Sequence, residues 1–266
     1  MFLVGILLLL SFLTGNALLT LGLSLQYDHV QTELSSIVNE FLQGEAGIQD
    51  IGLIDGDVNL SAEVDDRMDT MREYCQNYTE YVFSYEDTTF VVPCGVVEEG
   101  PVAVLNAGIE NAVERVYYKE YNCDFWDCLG EDPIPYFLVS AKAQDYWMSK
   151  FYVALVISLV LTILLFFLAE NKKNFPVVLG ALIIIGALPF VKASVFIASL
   201  AGSLYLSFAT IFISQAPKVF WIMFIPGVII LAIGIALHFF HLGAKLAEKI
   251  NQMKQEKKPL VKEVVK

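Results

Sequence analysis

Two kinds of apolar pattern alternate along the chain. In one, nonpolar residues follow each other without a charge for the length of a bilayer crossing; in the other, they recur every three or four positions among acidic side chains. The first kind covers residues 2 to 24, FLVGILLLLSFLTGNALLTLGLS, which hold no charge. About 20 such residues rising ~1.5 Å each span a hydrocarbon core of ~30 Å. The pattern recurs at 151 to 168, FYVALVISLVLTILLFFL, and at 219 to 242, VFWIMFIPGVIILAIGIALHFFHL. Lys172 and Lys173 close the one, Lys245 and Lys249 the other. A cleaved leader needs basic residues ahead of its apolar stretch and a small-residue cleavage site. The first run has neither, so residues 1 to 25 are expected to be an uncleaved signal anchor and the first transmembrane helix.

Between the last two runs, residues 175 to 214 carry a single charge, Lys192. As one helix they would extend ~60 Å, twice the bilayer core. Parity narrows the choice. The tail at 244 to 266 has seven lysines against three glutamates, and short lysine-rich segments stay cytoplasmic. If the segment before residue 150 lies outside, the chain crosses an odd number of times after it. One crossing is therefore expected at 175 to 191, with Pro176 suited to a first helical turn and Lys192 at the outer interface. Residues 193 to 214 are left interfacial, re-entrant or an extra span. Ser199, Ser203, Ser207, Thr210 and Ser214 there make a weakly polar helical stripe. The expected fold is a mainly α membrane protein of four transmembrane helices, with five as the alternative.

The second pattern fills residues 26 to 149. Tyr27, Val30, Leu34, Ile37 and Phe41 share a helical face, and the first span is expected to continue outward through them until Gly44. IQDIGLIDGDVNL reads as a short strand or extended loop. Ser61 is placed to cap a helix running to about Tyr78, with Val64, Met68, Met71 and Cys75 facing inward. The runs YVF and TTFVV around Glu86 and Asp87 predict a hairpin. A further helix is expected over 102 to 121. Pro133 and Pro135 then break the chain before a helix that runs from Phe137 into the second span. The result is an α+β domain inserted between the first and second spans.

Composition sharpens this division. The chain is 56% hydrophobic and 17% charged, with mean hydropathy +0.58 and net charge −12, too apolar for an ordinary soluble domain of 266 residues. Residues 26 to 149 hold 25 of the 29 acidic residues and five of the 17 basic ones. Such a surface argues against nucleic acid or anionic headgroups as partners. All four cysteines, Cys75, Cys94, Cys123 and Cys128, lie in this segment, as do two N-glycosylation sequons, at Asn59 and Asn77. An even number confined to one segment points to two disulfides in an oxidising compartment and hence to an extracellular domain. Of three possible pairings, nearness in sequence favours Cys75 with Cys94 and Cys123 with Cys128.

Reactive chemistry has little to stand on. Cys123, Asp124, Asp127 and Cys128 lack the spacing and partners of a structural zinc site, with His29 the only histidine nearby. The C-x4-C spacing is not the C-x-x-C of redox motifs. His238 and His241 have no third ligand in view, and Trp126, Trp147 and Trp221 fit cores or interfacial belts. No acidic residue falls within a span, and nucleophile, zincin, P-loop and dinucleotide motifs are missing. No catalytic, cofactor-binding or metal residue is expected.

The anchor, the cysteine-bearing segment with YKEYNCDFWDC, and DYWMSKFY leading into three closely spaced spans together resemble uncharacterised integral membrane proteins of archaeal type. The layout is also similar to claudin-like tetraspan proteins in topology alone, since their W-GLW-C-C loop signature is absent. The expectation is a multi-pass cell-membrane protein, non-enzymatic, embedded in the lipid bilayer. Its outer domain would contact a protein partner or a second copy. The rivals are a channel or transporter component lined by the Ser/Thr stripe, and a sensor signalling through the lysine tail.

Overall fold

The computed structural model describes residues 2–43, 60–85, 88–128, 136–170, 172, 174–193 and 210–256, with the backbone alone at 36–43, 60–63, 83–85, 88–90, 136 and 241–256. It is mainly helical. Three helical stretches are long and apolar enough to cross a membrane: Phe2–Ser24, Ala141–Leu168 and Thr210–Phe240, the last with a turn at Ser214 and Gln215. Phe175–Val191 is a shorter apolar helix. The chain divides into two compact units, one drawn from Met1–Asn16, Tyr152–Val191 and Lys218–Lys266, the other from Ala17–Phe151 and Lys192–Pro217.

In the second unit, α1 (Phe2–Ser24) ends before the amphipathic α2 (Tyr27–Gln43) begins. The expected continuous helix is broken at Leu25 and Gln26 because Leu25 and Val30, both fully buried, turn into a common core. Helix α3 (Leu60–Cys75) presents Val64, Met68 and Met71 inward, as their spacing predicts. It stops at Cys75 rather than Tyr78, and Ser61 lies inside it rather than at its cap. Strands β1 (Glu80–Tyr85) and β2 (Thr88–Pro93) form the expected antiparallel hairpin, with Tyr81 opposite Val92 and Tyr85 opposite Thr88. A short α4 (Cys94–Glu99), not anticipated, leads through Gly100 into α5 (Pro101–Tyr118). Gly100 has φ +111°, a conformation that glycine alone adopts without strain. The pattern predicts this helix as far as residue 121; it ends three residues earlier.

Helix α5 serves two cores. Its first half places Val104 against Met68, Met71, Val92 and Val97, and its second half places Val113 and Tyr117 among Leu25, Val30, Phe125 and Phe137. After α6 (Phe125–Cys128) and a 3-10 turn at Tyr136–Val139, α7 (Ala141–Leu168) starts at Ser140. The Ser140 hydroxyl accepts a hydrogen bond from the Ala143 N–H at 3.3 Å, so the helix is capped there instead of running on from Phe137.

In the first unit, α8 (Phe175–Ala187) carries Pro176 in its first turn and tightens to 3-10 at Leu188–Val191. It packs against α9 (Ala216–Glu256) through glycines. A Cβ on Gly180 would lie 2.6 Å from the Leu231 backbone nitrogen, and one on Gly234 2.7 Å from that of Val177. Gly227, next to Pro226 within α9, faces Ile183 and Ile184 at 3.0 Å. Ser11 of α1 meets Ser158 of α7, hydroxyl to hydroxyl, at 2.8 Å. Gly44, the stretch IQDIGLIDGDVNL up to Asn59, Glu86, Asp87, Pro133, Pro135, residues 194–209 with Ser199, Ser203 and Ser207, and the tail beyond 256 lie outside the described residues.

Candidate functional site

The densest chemistry in the second unit surrounds the end of α5. Tyr117 is 2% exposed and its hydroxyl reaches two acceptors, the Leu25 carbonyl at 2.9 Å and Gln144 Oε1 at 2.7 Å. A phenol has one proton, so it serves one acceptor at a time. The residue thereby joins α5 to the peptide that ends α1 and to the first turns of α7. Burial, then the negative neighbours Tyr118 and Asp145, push its pKa up to about 12. Tyr27, edge-on to Tyr117 at 5.3 Å, is also raised, first by burial and then by Glu114 and Glu110.

Below it lies the loop YNCDFWDC. Cys123 and Cys128 are paired at disulfide distance with Cα atoms 5.4 Å apart. Within the loop α6 makes a single turn that buries Phe125 and Cys128 and exposes Trp126. Phe125 stacks on Tyr146 of α7 at 3.9 Å with planes 10° apart, and meets Phe137 and Trp147 edge-on at 5.2 Å. The Lys142 ammonium donates to the carbonyls of Tyr121, at 2.7 Å, and of Cys123. The loop is thus tied to α7 by stacking and by a charge-assisted clamp.

Cys75 and Cys94 form the other pair, Cα atoms 5.3 Å apart, at the open end of the hairpin, where the Cys94 N–H also donates to the Thr79 carbonyl at 2.9 Å. The two pairs are those that nearness in sequence favours. Each belongs to a different core, Cys75 beside the methionine core and Cys128 within the aromatic one. Asn77 is exposed in the turn after α3; Asn59 lies outside the described residues.

No protein-family model, curated protein or solved structure matches this chain. Its chemistry is therefore read from the side chains alone. Among the described residues, no three His, Cys, Asp or Glu side chains come together in a way that could hold a metal ion. His238 lines an open cavity of about 370 Å³ in the first unit with Asn174, Val177, Val178, Ile235 and Phe239; the side chain of His241 is not described. Trp147 is half-buried in the aromatic cluster, whereas Trp221 is exposed at the start of α9. The Tyr27 and Tyr117 phenols are both moved further from neutral pH. What the arrangement offers is an aromatic cluster tied to α7.

One set of residues escaped the sequence reading. Asn16, Thr20 and Ser24 recur every fourth position of α1 and are all buried. In the first unit, the Asn16 amide donates to the Gly186 carbonyl of α8 at 3.1 Å; in the second, the Ser24 hydroxyl accepts from the Gln215 N–H at 3.1 Å. The signal was visible as an i, i+4, i+8 polar row in a charge-free helix, the mark of a helix packed on protein rather than lipid.

Proposed function

We propose that the chain is a multi-pass protein of the cell membrane that acts by contact rather than catalysis, through an extracellular domain at residues 26 to 149. The observation that carries this reading is that the acidic segment supplies all of one core and most of another, the latter completed by Leu25 and Ile211, and that each core has its own cysteine pair, accounting for all four cysteines. A domain stapled twice belongs in an oxidising compartment. Parity with a lysine-rich cytoplasmic tail then gives four crossings, with 175–191 as the third. The partner is another protein or a second copy meeting the outer domain.

Intact cells treated with a membrane-impermeant thiol reagent provide the test. No labelling before reduction and labelling of all four cysteines after it supports export and pairing. Labelling without reductant overturns the pairing, and no labelling after reduction overturns export. A reporter fused after Lys266 that proves to be outside replaces four spans with five. A sensor is the second reading, favoured by Tyr117, which ties the outer helix α5 to the end of α1 and the start of α7. It requires a cytoplasmic partner whose crosslinking depends on the tail and changes in Tyr117→Phe.

A further inference from the structure

We infer that the loop closed by Cys123 and Cys128 is a membrane-surface anchor that seats the Trp126 indole among the headgroups of the bilayer α7 crosses. The inference rests on α7 being a membrane span, as proposed above. Within the loop, Phe125 and Cys128 are 7% and 4% exposed, yet Trp126 between them is 67% exposed. The loop is not free to bury that ring, because the Phe125 stack on Tyr146 and the Lys142 clamp hold it in place. A tryptophan with an apolar body and one N–H donor is best accommodated where water and hydrocarbon meet.

Its depth follows from α7. The uncharged run begins at Phe151, and Tyr146 precedes it by five residues, ~7.5 Å along the axis at ~1.5 Å per residue. Each headgroup layer is ~5–8 Å deep, half the difference between a full thickness of ~40–45 Å and a core of ~30 Å. The Trp126 ring lies 6.4 Å from the Tyr146 ring, within reach of the same layer. The Lys150 ammonium, 5.2 Å from the centre of the Tyr146 ring, belongs to the same layer and matches the lipid phosphates there. Asp124 and Asp127 flank the ring and are exposed, which keeps the loop out of the hydrocarbon.

The test uses the full chain in phosphatidylcholine vesicles, with Trp147→Phe and Trp221→Phe leaving Trp126 as the one tryptophan. Nitroxides attached to the headgroup are expected to quench it several-fold more than nitroxides deep on the acyl chain, and aqueous iodide only weakly. Strong iodide quenching with no nitroxide effect overturns the anchor, as does shielding from both, which would mean that protein, a second copy included, covers the ring. A chain with Trp221 alone separates the two readings. Nitroxide quenching of Trp221 but not Trp126 sinks only the anchor, and quenching of neither sinks the membrane reading with it. Where the double variant does not fold, the difference between native and Trp126→Phe emission reads the same quantity. Opening the loop with Cys123→Ser and Cys128→Ser is expected to raise iodide quenching of Trp126 several-fold; no change would overturn the loop's part in holding it.

Discussion

The helix pair of α8 and α9 and the acidic segment use much the same apolar residues, but they hold together in opposite ways. In the acidic segment, Met68, Met71, Val92 and Val97 are removed from water, and the hydrophobic effect supplies the stability. On α9 the apolar side chains largely face outward, and its contact with α8 is made by glycines that let backbones touch. Lipid tails are as apolar as leucine, so burying leucine from lipid gains little and close backbone packing has to suffice. The sensitive change is therefore opposite in the two regions: adding atoms breaks the helix pair, and removing atoms breaks the domain.

The largest effect expected is that of Gly180→Leu, whose Cβ alone would stand 2.6 Å from the Leu231 nitrogen and 2.8 Å from the Gly227 carbonyl oxygen. Neither backbone atom can swing aside, so the pair separates, at a cost above ~3 kcal/mol. Loss of a crosslink between engineered cysteines on α8 and α9 checks it. Gly5→Leu, with nothing within 4 Å of its Cβ, is the neutral control. In the acidic segment Met71→Ala is expected to cost ~3 kcal/mol in denaturant unfolding through the cavity it leaves. A Met71→Ala change as harmless as Gly5→Leu would erase the contrast.

The two cysteine pairs sharpen the picture inside the domain. Their sequence separations are 19 and 5, and loop-closure entropy gives ~3 kcal/mol for the longer against ~2 for the shorter. Replacing Cys75 and Cys94 by serine should then lower the midpoint more than replacing Cys123 and Cys128. Tyr117→Phe is expected to cost ~1 kcal/mol for one buried hydrogen bond, with a pH signature. Because the folded phenol holds its proton up to about 12 while the unfolded one loses it near 10.0, the native contribution is whole below pH 10 and is lost between 10 and 12. The phenylalanine variant loses that part of the alkaline fall, seen as a smaller difference from native at pH 11 than at pH 8. The smallest effect is expected in the first unit: Asn16→Leu, despite the burial of Asn16, is expected to cost only ~0.6 kcal/mol in detergent unfolding, the average worth of a hydrogen bond between helices in membrane proteins.

Periodicity made some of this readable. Val64, Met68 and Met71 stand out because polar residues separate them, and the hairpin because β-branched and aromatic runs flank two acidic residues. The same reasoning has no grip where contrast is missing. Gly180, Gly227 and Gly234 sit in uniformly apolar runs, so nothing in their spacing marks them as the contact. The break at Leu25 was hidden because the apolar pattern continues through it, and α4 because six residues are too few to show a period. Ser61 looked like a cap on residue type alone, whereas α3 starts at Leu60. Of the site, the cysteine pairing was legible from spacing and the Tyr117 junction was not, since it depends on residues 92 apart in sequence meeting in space.

The Cys75–Cys94 pair sits before β1 and after β2, so the hairpin is part of a closed covalent ring. A single protease cut anywhere between those residues leaves the two halves attached. Such a nicked molecule keeps its size on a denaturing gel until a reductant is added, and then parts into a piece that ends at the cut and a piece that begins there. A cut outside the two rings separates at once, which turns the fragment pattern into a map of which segments each pair encloses.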